Sequence, residues 1–305
     1  MEEASLEYEQ HALGDPLAPL LLTIAHKRRT AALLSSPSDT TGLMQWRAGT
    51  LLAHLLACRA PALLRGARVV ELGCGSALLS CVARAGGAAS VLATDASAPA
   101  LELAAHNLAR AAGAPCPART AELRWGAPTA ASRALGVGAY DLALASEVFY
   151  HHRAGGLIEG GIGAQADALL TTAVQQLLTP CTCSGAAAGP CGAGLLLLAY
   201  TPRYPGMARA LRASASALGL ALRTLSRSAL LTPAMRQSLA YTDTRLLAAC
   251  ACPGALAAHV AARLGSPPAA PQCEDSEWEE GAWDAGWEAA DAQAPTGVGL
   301  EALFA

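Results

Sequence analysis

An apolar strand that runs into a glycine turn and then a helix, Arg68-Val-Val-Glu-Leu-Gly-Cys-Gly-Ser-Ala-Leu-Leu79, constrains this chain more than any other stretch. Val69, Val70 and Leu72 suit a buried strand, and Gly73 and Gly75 remove side chains where the backbone must bend. Helical spacing resumes from Ala77 to Ala85. The glycines permit positive φ and close approach of a ligand, and the first amides of the following helix point at whatever binds there. A Gly-x-Gly turn also occurs as an ordinary tight turn, so its surroundings decide.

The next strand, Ser90-Val-Leu-Ala-Thr-Asp95, ends in an acid twenty residues beyond Gly75. In a βαβ unit that spacing sets a carboxylate beside the glycine turn, where it can accept the two ribose hydroxyls of an adenosine ligand. A dinucleotide site wants a third glycine three residues after the second, and that position is Leu78. Glu71, just before the turn, would repel a pyrophosphate and suit a ligand that carries an ammonium group. The ligand expected is therefore an adenosine with a cationic arm.

Further motifs follow in order: Leu123-Arg-Trp-Gly126, then Tyr140-Asp-Leu-Ala-Leu-Ala-Ser-Glu-Val-Phe-Tyr150, with Thr41-Gly-Leu-Met-Gln-Trp-Arg-Ala-Gly-Thr-Leu-Leu52 upstream. Together with Glu71 to Ser76 and Thr94-Asp95 they resemble the seven-β-strand methyltransferases that use S-adenosyl-L-methionine. Within these the chain is most similar to methyltransferase family 16, which acts on lysines of non-histone proteins, over roughly Leu20 to Cys252. The resemblance implies an α/β fold: a Rossmann-like seven-stranded sheet with helices on both faces. It implies that Glu71, Gly73, Cys74, Gly75, Asp95, Trp125 and Ala145 hold the cofactor, with Trp46 as a wall beside them. Trp46 would serve equally as a core anchor of its helix, and Trp125 as a half-buried strand aromatic. Glu147 and Tyr150 are implied at the substrate, where the family usually carries Asp-x-x-Tyr and this chain has one extra methylene. A small-molecule N- or O-methyltransferase is the alternative. A noncatalytic cofactor-binding scaffold is another, because Ala77 stands where the family often has glycine.

The Tyr140–Ser146 run is apolar enough for a central parallel strand, and ligands of open α/β sheets bind at the carboxyl ends of such strands. Glu147 and Tyr150 arrive at that end. His151 and His152, which follow, read as a solvated loop tip. The other expected elements are a family-implied hairpin of Leu20–Ala25 with Thr30–Leu34, and a helix over Gly42–Leu56 covering one edge of the sheet. Ser97 is expected to cap a helix from Ala98 to Ala112 that Gly113 stops. Strands are expected at Ala121–Trp125, Leu195–Tyr200, Leu220–Leu225 and Arg245–Cys252, and helices at Ala164–Leu178 and Tyr204–Leu218.

Composition sets the remaining bounds. The 305 residues are 53% hydrophobic, ample for one core. The expected division is a loosely held N-terminus (1–19), a methyltransferase domain (20–265) and a disordered acidic tail (266–305) with Trp278, Trp283 and Trp287. Net charge is −3, the only lysine is Lys27, and no basic block suggests direct nucleic-acid binding. The expected partner is a protein substrate carrying the target lysine, with the chain itself a monomer. Leu51 to Val70 is broken by His54, Arg59, Pro61, Arg65 and Arg68, so no membrane span is expected. The start Met1-Glu-Glu-Ala-Ser-Leu-Glu lacks a cationic and apolar leader, which suggests a cytoplasmic or nuclear protein. The ten cysteines suit thiols packed as small hydrophobes. No metal site is expected, because neither Cys181, Cys183 and Cys191 nor Cys250 and Cys252 have zinc-ligand spacing.

Overall fold

The computed structural model describes residues 6–15, 18–28, 40–111, 116–149, 161–181, 192–202, 206–225, 244–252, 256 and 264. Among them, strands β3 (Arg68–Leu72), β4 (Ser90–Asp95), β5 (Ala118–Glu122), β6 (Leu142–Ser146), β7 (Leu195–Tyr200), β8 (Ala221–Leu225) and β9 (Arg245–Cys250) form one seven-stranded sheet. Its order is β5-β4-β3-β6-β7-β9-β8. The first five strands in that order are parallel, and β9 runs antiparallel between β7 and β8. The order reverses between β3 and β6, which creates a crevice at their carboxyl ends. This is the Rossmann-like α/β sheet that the resemblance implies.

The central strands are apolar on both faces, and alternation divides them between two cores. Val69, Leu142, Leu144, Leu195 and Leu197 pack toward α1 (Arg47–Leu63) and α2 (Leu78–Ala85). Val70, Ala143, Ala145, Leu196 and Leu198 pack toward α5 (Gly161–Leu170) and, at the far side, α6 (Met207–Ala217). Helix α3 (Ala98–Arg110) covers β4 and β5, and a short α4 (Ala130–Ala134) precedes β6. Helix α1 lies across β6 and β7 in mid-sheet rather than at an edge, because its leucines, Leu51, Leu52, Leu55 and Leu56, are all buried against that face.

Three expectations need correction. Leu20–His26 (β2) does form a hairpin, but its partner is β1, Glu7–Leu13, inside the stretch expected to be loose. Only His11 and Leu13 of β1 are buried, so the apolar signal was weak; Thr30–Leu34 lies outside the described residues. Strand β5 ends at Glu122, where Leu123 N–H donates to the Asp95 carbonyl (3.0 Å), and Trp125 therefore sits in the loop beyond it. As an edge strand β5 is half exposed and lacks a clear period. Ser97 occupies the N-cap position of α3, yet its side chain makes no capping bond; its N–H instead donates to Asp95 Oδ1 (2.9 Å).

Helix α5 passes directly into a π-helix over Thr171–Leu177, closed by Leu178 N–H on the Ala173 carbonyl (2.9 Å). The Gln176 and Leu177 carbonyls are thereby left to Gly138 N–H (2.9 Å) and Tyr140 N–H (3.1 Å), which steer the chain into β6. Tyr150, His151, His152 and the acidic tail lie outside the described residues. No described helix is long and apolar enough to cross a membrane.

Candidate functional site

The glycine turn sits at the β3 side of the crevice. Gly73 and Gly75 have φ of +69° and +51°, a region that costs other residues roughly 1–2 kcal/mol. Both positions are also crowded. A Cβ on Gly73 would stand 2.9 Å from Val148 Cγ1 and 3.4 Å from the Trp125 ring, and one on Gly75 would stand 2.8 Å from the Gly42 carbonyl oxygen. The turn therefore lies between Gly42 on one side and Val148 with Trp125 on the other. Cys74 N–H donates to the Thr94 carbonyl (2.9 Å) and ties the turn to β4.

Asp95 is held to the same turn. Its Oδ2 accepts from Gly75 N–H (3.0 Å) and its Oδ1 from Ser97 N–H (2.9 Å), so two backbone amides fix both carboxylate oxygens beside the glycines. This is the juxtaposition the twenty-residue spacing anticipates. Ala77 opens α2 with φ +60°, where glycine would be unstrained, and its N–H donates to the Cys74 carbonyl (2.7 Å).

Glu71 does not face a ligand. It shares the α2 face of β3 with Val69, is 2% exposed, and accepts from Ser80 N–H (2.8 Å) and Ser80 Oγ–H (2.5 Å). Burial pushes its carboxyl up to about 8, against the pull of the Ser80 bonds. It braces the turn against α2, which corrects the reading of Glu71 as the partner of a ligand ammonium. The Cys74 thiol is buried and pushed well above its ordinary value by that burial, so it is an inert wall. Ala145 is fully buried within the core beneath Trp125's side of the sheet, and its side chain does not reach the crevice.

The two tryptophans both come close. Trp125 packs beside Gly73, and its loop is hooked by α5's π-helical end: Gly126 N–H donates to Thr172 Oγ1 (3.0 Å) and Gln176 Nε2 donates to the Gly126 carbonyl (2.6 Å). Trp46 Nε1–H donates to the Thr41 carbonyl (2.9 Å), the residue before the Gly42 that touches Gly75. Next to it Gln45 Nε2 donates to Ser76 Oγ (2.8 Å). The lead-in segment thus lies over the turn.

At the β6 side Glu147 is 7% exposed and has φ +52°, a left-handed conformation that a glutamate adopts only under constraint. Its N–H donates to the Ala199 carbonyl (2.9 Å), and Thr201 donates to its carboxylate from Oγ1 (2.7 Å) and from N (3.4 Å). Gly49 in α1 allows that helix to close on Ser146, since a Cβ there would come 3.2 Å from Ser146 Oγ. Thr201, Thr172, Gln176 and Gly42 were not expected at the site. Each acts through a neighbour brought alongside by the sheet, and no local spacing announces it.

Asn107, readable from its place on α3 as a structural hydrogen-bonding residue, makes its bonds to distant backbone. Fully buried on α3, it accepts from Ala25 N–H (2.8 Å) and donates to the carbonyls of Ala25 (2.9 Å) and Ser76 (2.8 Å). One side chain joins the N-terminal hairpin to the glycine turn.

Residues 29–161 match a family described as lysine methyltransferase. The span contains β3 to β6, the glycine turn, Asp95, Trp125 and Glu147. No curated protein matches the chain. Among solved structures it is similar to an S-adenosylmethionine-dependent methyltransferase from Streptococcus mutans, at 10% identity over 75% of this chain and 53% of that one, with a TM-score of 0.46. The chain thus spans about half the length of that structure. It is also similar to a methyltransferase from Pyrococcus furiosus, at 17% identity over 65% and 81% of the two chains, TM-score 0.43. A third is magnesium protoporphyrin IX methyltransferase from Synechocystis PCC 6803 with bound S-adenosylmethionine, at 17% identity over 73% and 85%, TM-score 0.43.

Proposed function

We propose that this chain, whose residues 29–161 match a family described as lysine methyltransferase, transfers a methyl group from S-adenosylmethionine to a lysine side chain of a protein substrate. The observation that carries the reading is the pairing, across the β3/β6 crevice, of Asp95 anchored on the glycine turn with Glu147 held at the end of β6.

The turn fits the cofactor. An ionised carboxylate accepts up to about four hydrogen bonds, and the two amides fix the Asp95 oxygens where a ribose diol can reach them. Trp125 beside Gly73 offers a flat apolar wall for an adenine ring, and the left-handed Gly73 and Gly75 shape the turn beneath it. When bound, the cofactor supplies an electrophilic methyl group on a cationic sulfonium.

The attacking lysine must be neutral, although its ordinary pKa is ~10.4; losing the proton near pH 7 costs about 4.6 kcal/mol. Exclusion of water from the amine and the neighbouring positive charge both lower that cost. Glu147, fixed by Thr201, accepts a hydrogen bond from the amine and aims its lone pair. Its role in this reading is alignment, because a carboxylate that paired too tightly with the ammonium would hold the proton on.

The test is transfer of radiolabelled methyl from S-adenosylmethionine into a lysate of the source cells, with the wild-type chain and with Asp95→Ala. A discrete labelled protein band, lost in the variant and yielding methyl-lysine on hydrolysis, is the expected result. Label confined to small molecules would overturn the protein-substrate reading, and cofactor binding without any transfer would favour a scaffold.

A further inference from the structure

A cleft of about 250 Å³ lies between α6 and the β7, β9 and β8 end of the sheet. Three arginines line it, Arg212 from α6, Arg223 from β8 and Arg245 from β9, together with Tyr200, Thr224 and Leu247. No acidic residue is among the described residues that line it. Arg223 and Arg245 have no carboxylate partner among the described residues.

Tyr200 supplies a second, independent observation. The residue is 1% exposed and lines the cleft, where the Arg245 and Arg212 charges bear on it. Burial raises its pKa, against the pull of the Arg245 and Arg212 charges, so it stays a protonated donor. A cleft lined by tyrosine and arginine donors, with no acidic side chain among its described lining residues, suits an oxyanion.

The position of the cleft narrows the source of that anion. Tyr200 is paired with Arg245 across β7 and β9, and the next residue, Thr201, holds the Glu147 carboxylate. Tyr200 and Arg245, which line the cleft, therefore stand at the same carboxyl end of the sheet as Glu147, with Arg245 two strands away. At about 4.8 Å per strand, Arg245 stands roughly 10 Å from the Glu147 backbone. An extended peptide covers that distance in about three residues.

We infer that this cleft is a specificity subsite that takes the carboxylate of an Asp or Glu about two to four residues from the target lysine of the protein substrate. The inference rests on the protein-lysine reading above. Tyr200 and Arg245 bond the carboxylate oxygens, Arg223 adds charge at the rim, and Leu247 contacts the methylenes of the acidic side chain.

Binding of short fluorescent peptides tests it without requiring methyl transfer. Each peptide has one lysine in a Gly/Ser background, with Glu or Gln about three residues away on either side. Anisotropy titrations with the wild-type chain should show the Glu peptide binding about five- to tenfold tighter than its Gln counterpart. The preference should fall below about twofold in both Arg245→Gln and the more exposed Arg223→Gln, with affinity for S-adenosylhomocysteine unchanged in each. Equal binding of Glu and Gln peptides to the wild type overturns the inference, as does a preference that survives both substitutions. Inorganic phosphate binding to the cleft while the two peptides bind alike would mark a small-anion site and also overturn it. A Glu preference that is present in a chain unable to methylate any peptide supports the subsite and counts against the transfer reaction alone.

Discussion

Replacing Gly75 by alanine should damage both the stability of the chain and its glycine turn, and the size of the effect can be worked from two positions. Gly66 has φ +73° with nothing within 4 Å of where an alanine Cβ would stand, so Gly66→Ala isolates the backbone cost. That cost is roughly 1–2 kcal/mol for the left-handed conformation, offset by about 0.4–1 kcal/mol from the stiffer unfolded chain, a net loss of about 0.5–1 kcal/mol. Gly75 carries the same backbone requirement at φ +51°, and its Cβ would in addition lie 2.8 Å from the Gly42 oxygen and 3.5 Å from the Gly42 carbonyl carbon. Those are backbone atoms and cannot rotate aside, so overpacking adds about 1–3 kcal/mol. Gly75→Ala should therefore lose about 2–4 kcal/mol in urea unfolding, against under about 1 for Gly66→Ala. Moving Gly42 also shifts the lead-in segment that carries Trp46, so S-adenosylhomocysteine affinity should fall in Gly75→Ala and hold in Gly66→Ala. Stabilities of the two variants within about 0.5 kcal/mol of each other would refute the close approach of Gly42.

Three further substitutions probe the supports of the turn. Glu71 has an ordinary value of 4.5 raised to about 8 in the folded chain, so the folded state binds the extra proton between those limits. Its contribution to stability is full below about pH 4.5 and is lost as pH rises to about 8, at up to about 4–5 kcal/mol in all. Glu71→Gln should flatten that slope and gain on the wild type at the alkaline end; parallel pH profiles in chemical denaturation would contradict the assignment. Asn107→Ala leaves Ala25 N–H and the Ala25 and Ser76 carbonyls without their buried partner, and should cost about 3–4 kcal/mol by the same assay. A loss below about 1 kcal/mol would show that the hairpin does not depend on it. Ala77→Gly relieves a left-handed alanine and should raise stability by about 0.5–1 kcal/mol in thermal melts, whereas a destabilisation would show that the Ala77 methyl group packs for more than its strain.

The glycine turn, β4 and β7 were legible because each is a run of apolar residues bounded by polar or glycine punctuation; Ser90–Asp95 and Leu195–Tyr200 fall where their patterns place them. Asp95 was legible for the same reason, since a strand end fixes the side of the sheet on which a residue arrives. Side-chain parity was the weak point. Glu71 lies two residues from Val69 and so faces α2, and that alternation already separates it from a ligand in the crevice. Pairings between distant strands were beyond local reading: Thr201 reaches Glu147 only because β7 lies beside β6, and Asn107 reaches Ala25 only because the hairpin folds onto α3. Strand β1 was hidden by its composition, five of its seven residues being left at least partly exposed.

The central claim is that the turn from Gly73 to Gly75, with Asp95, holds the adenosyl cofactor. Calorimetric titration of S-adenosylhomocysteine into the wild-type chain and into Asp95→Asn tests it most directly. The account predicts one-to-one binding that weakens by at least about tenfold in the variant, since the neutral amide loses charge-assisted bonds to the ribose hydroxyls. Equal affinities, or no binding to the wild type, would contradict it.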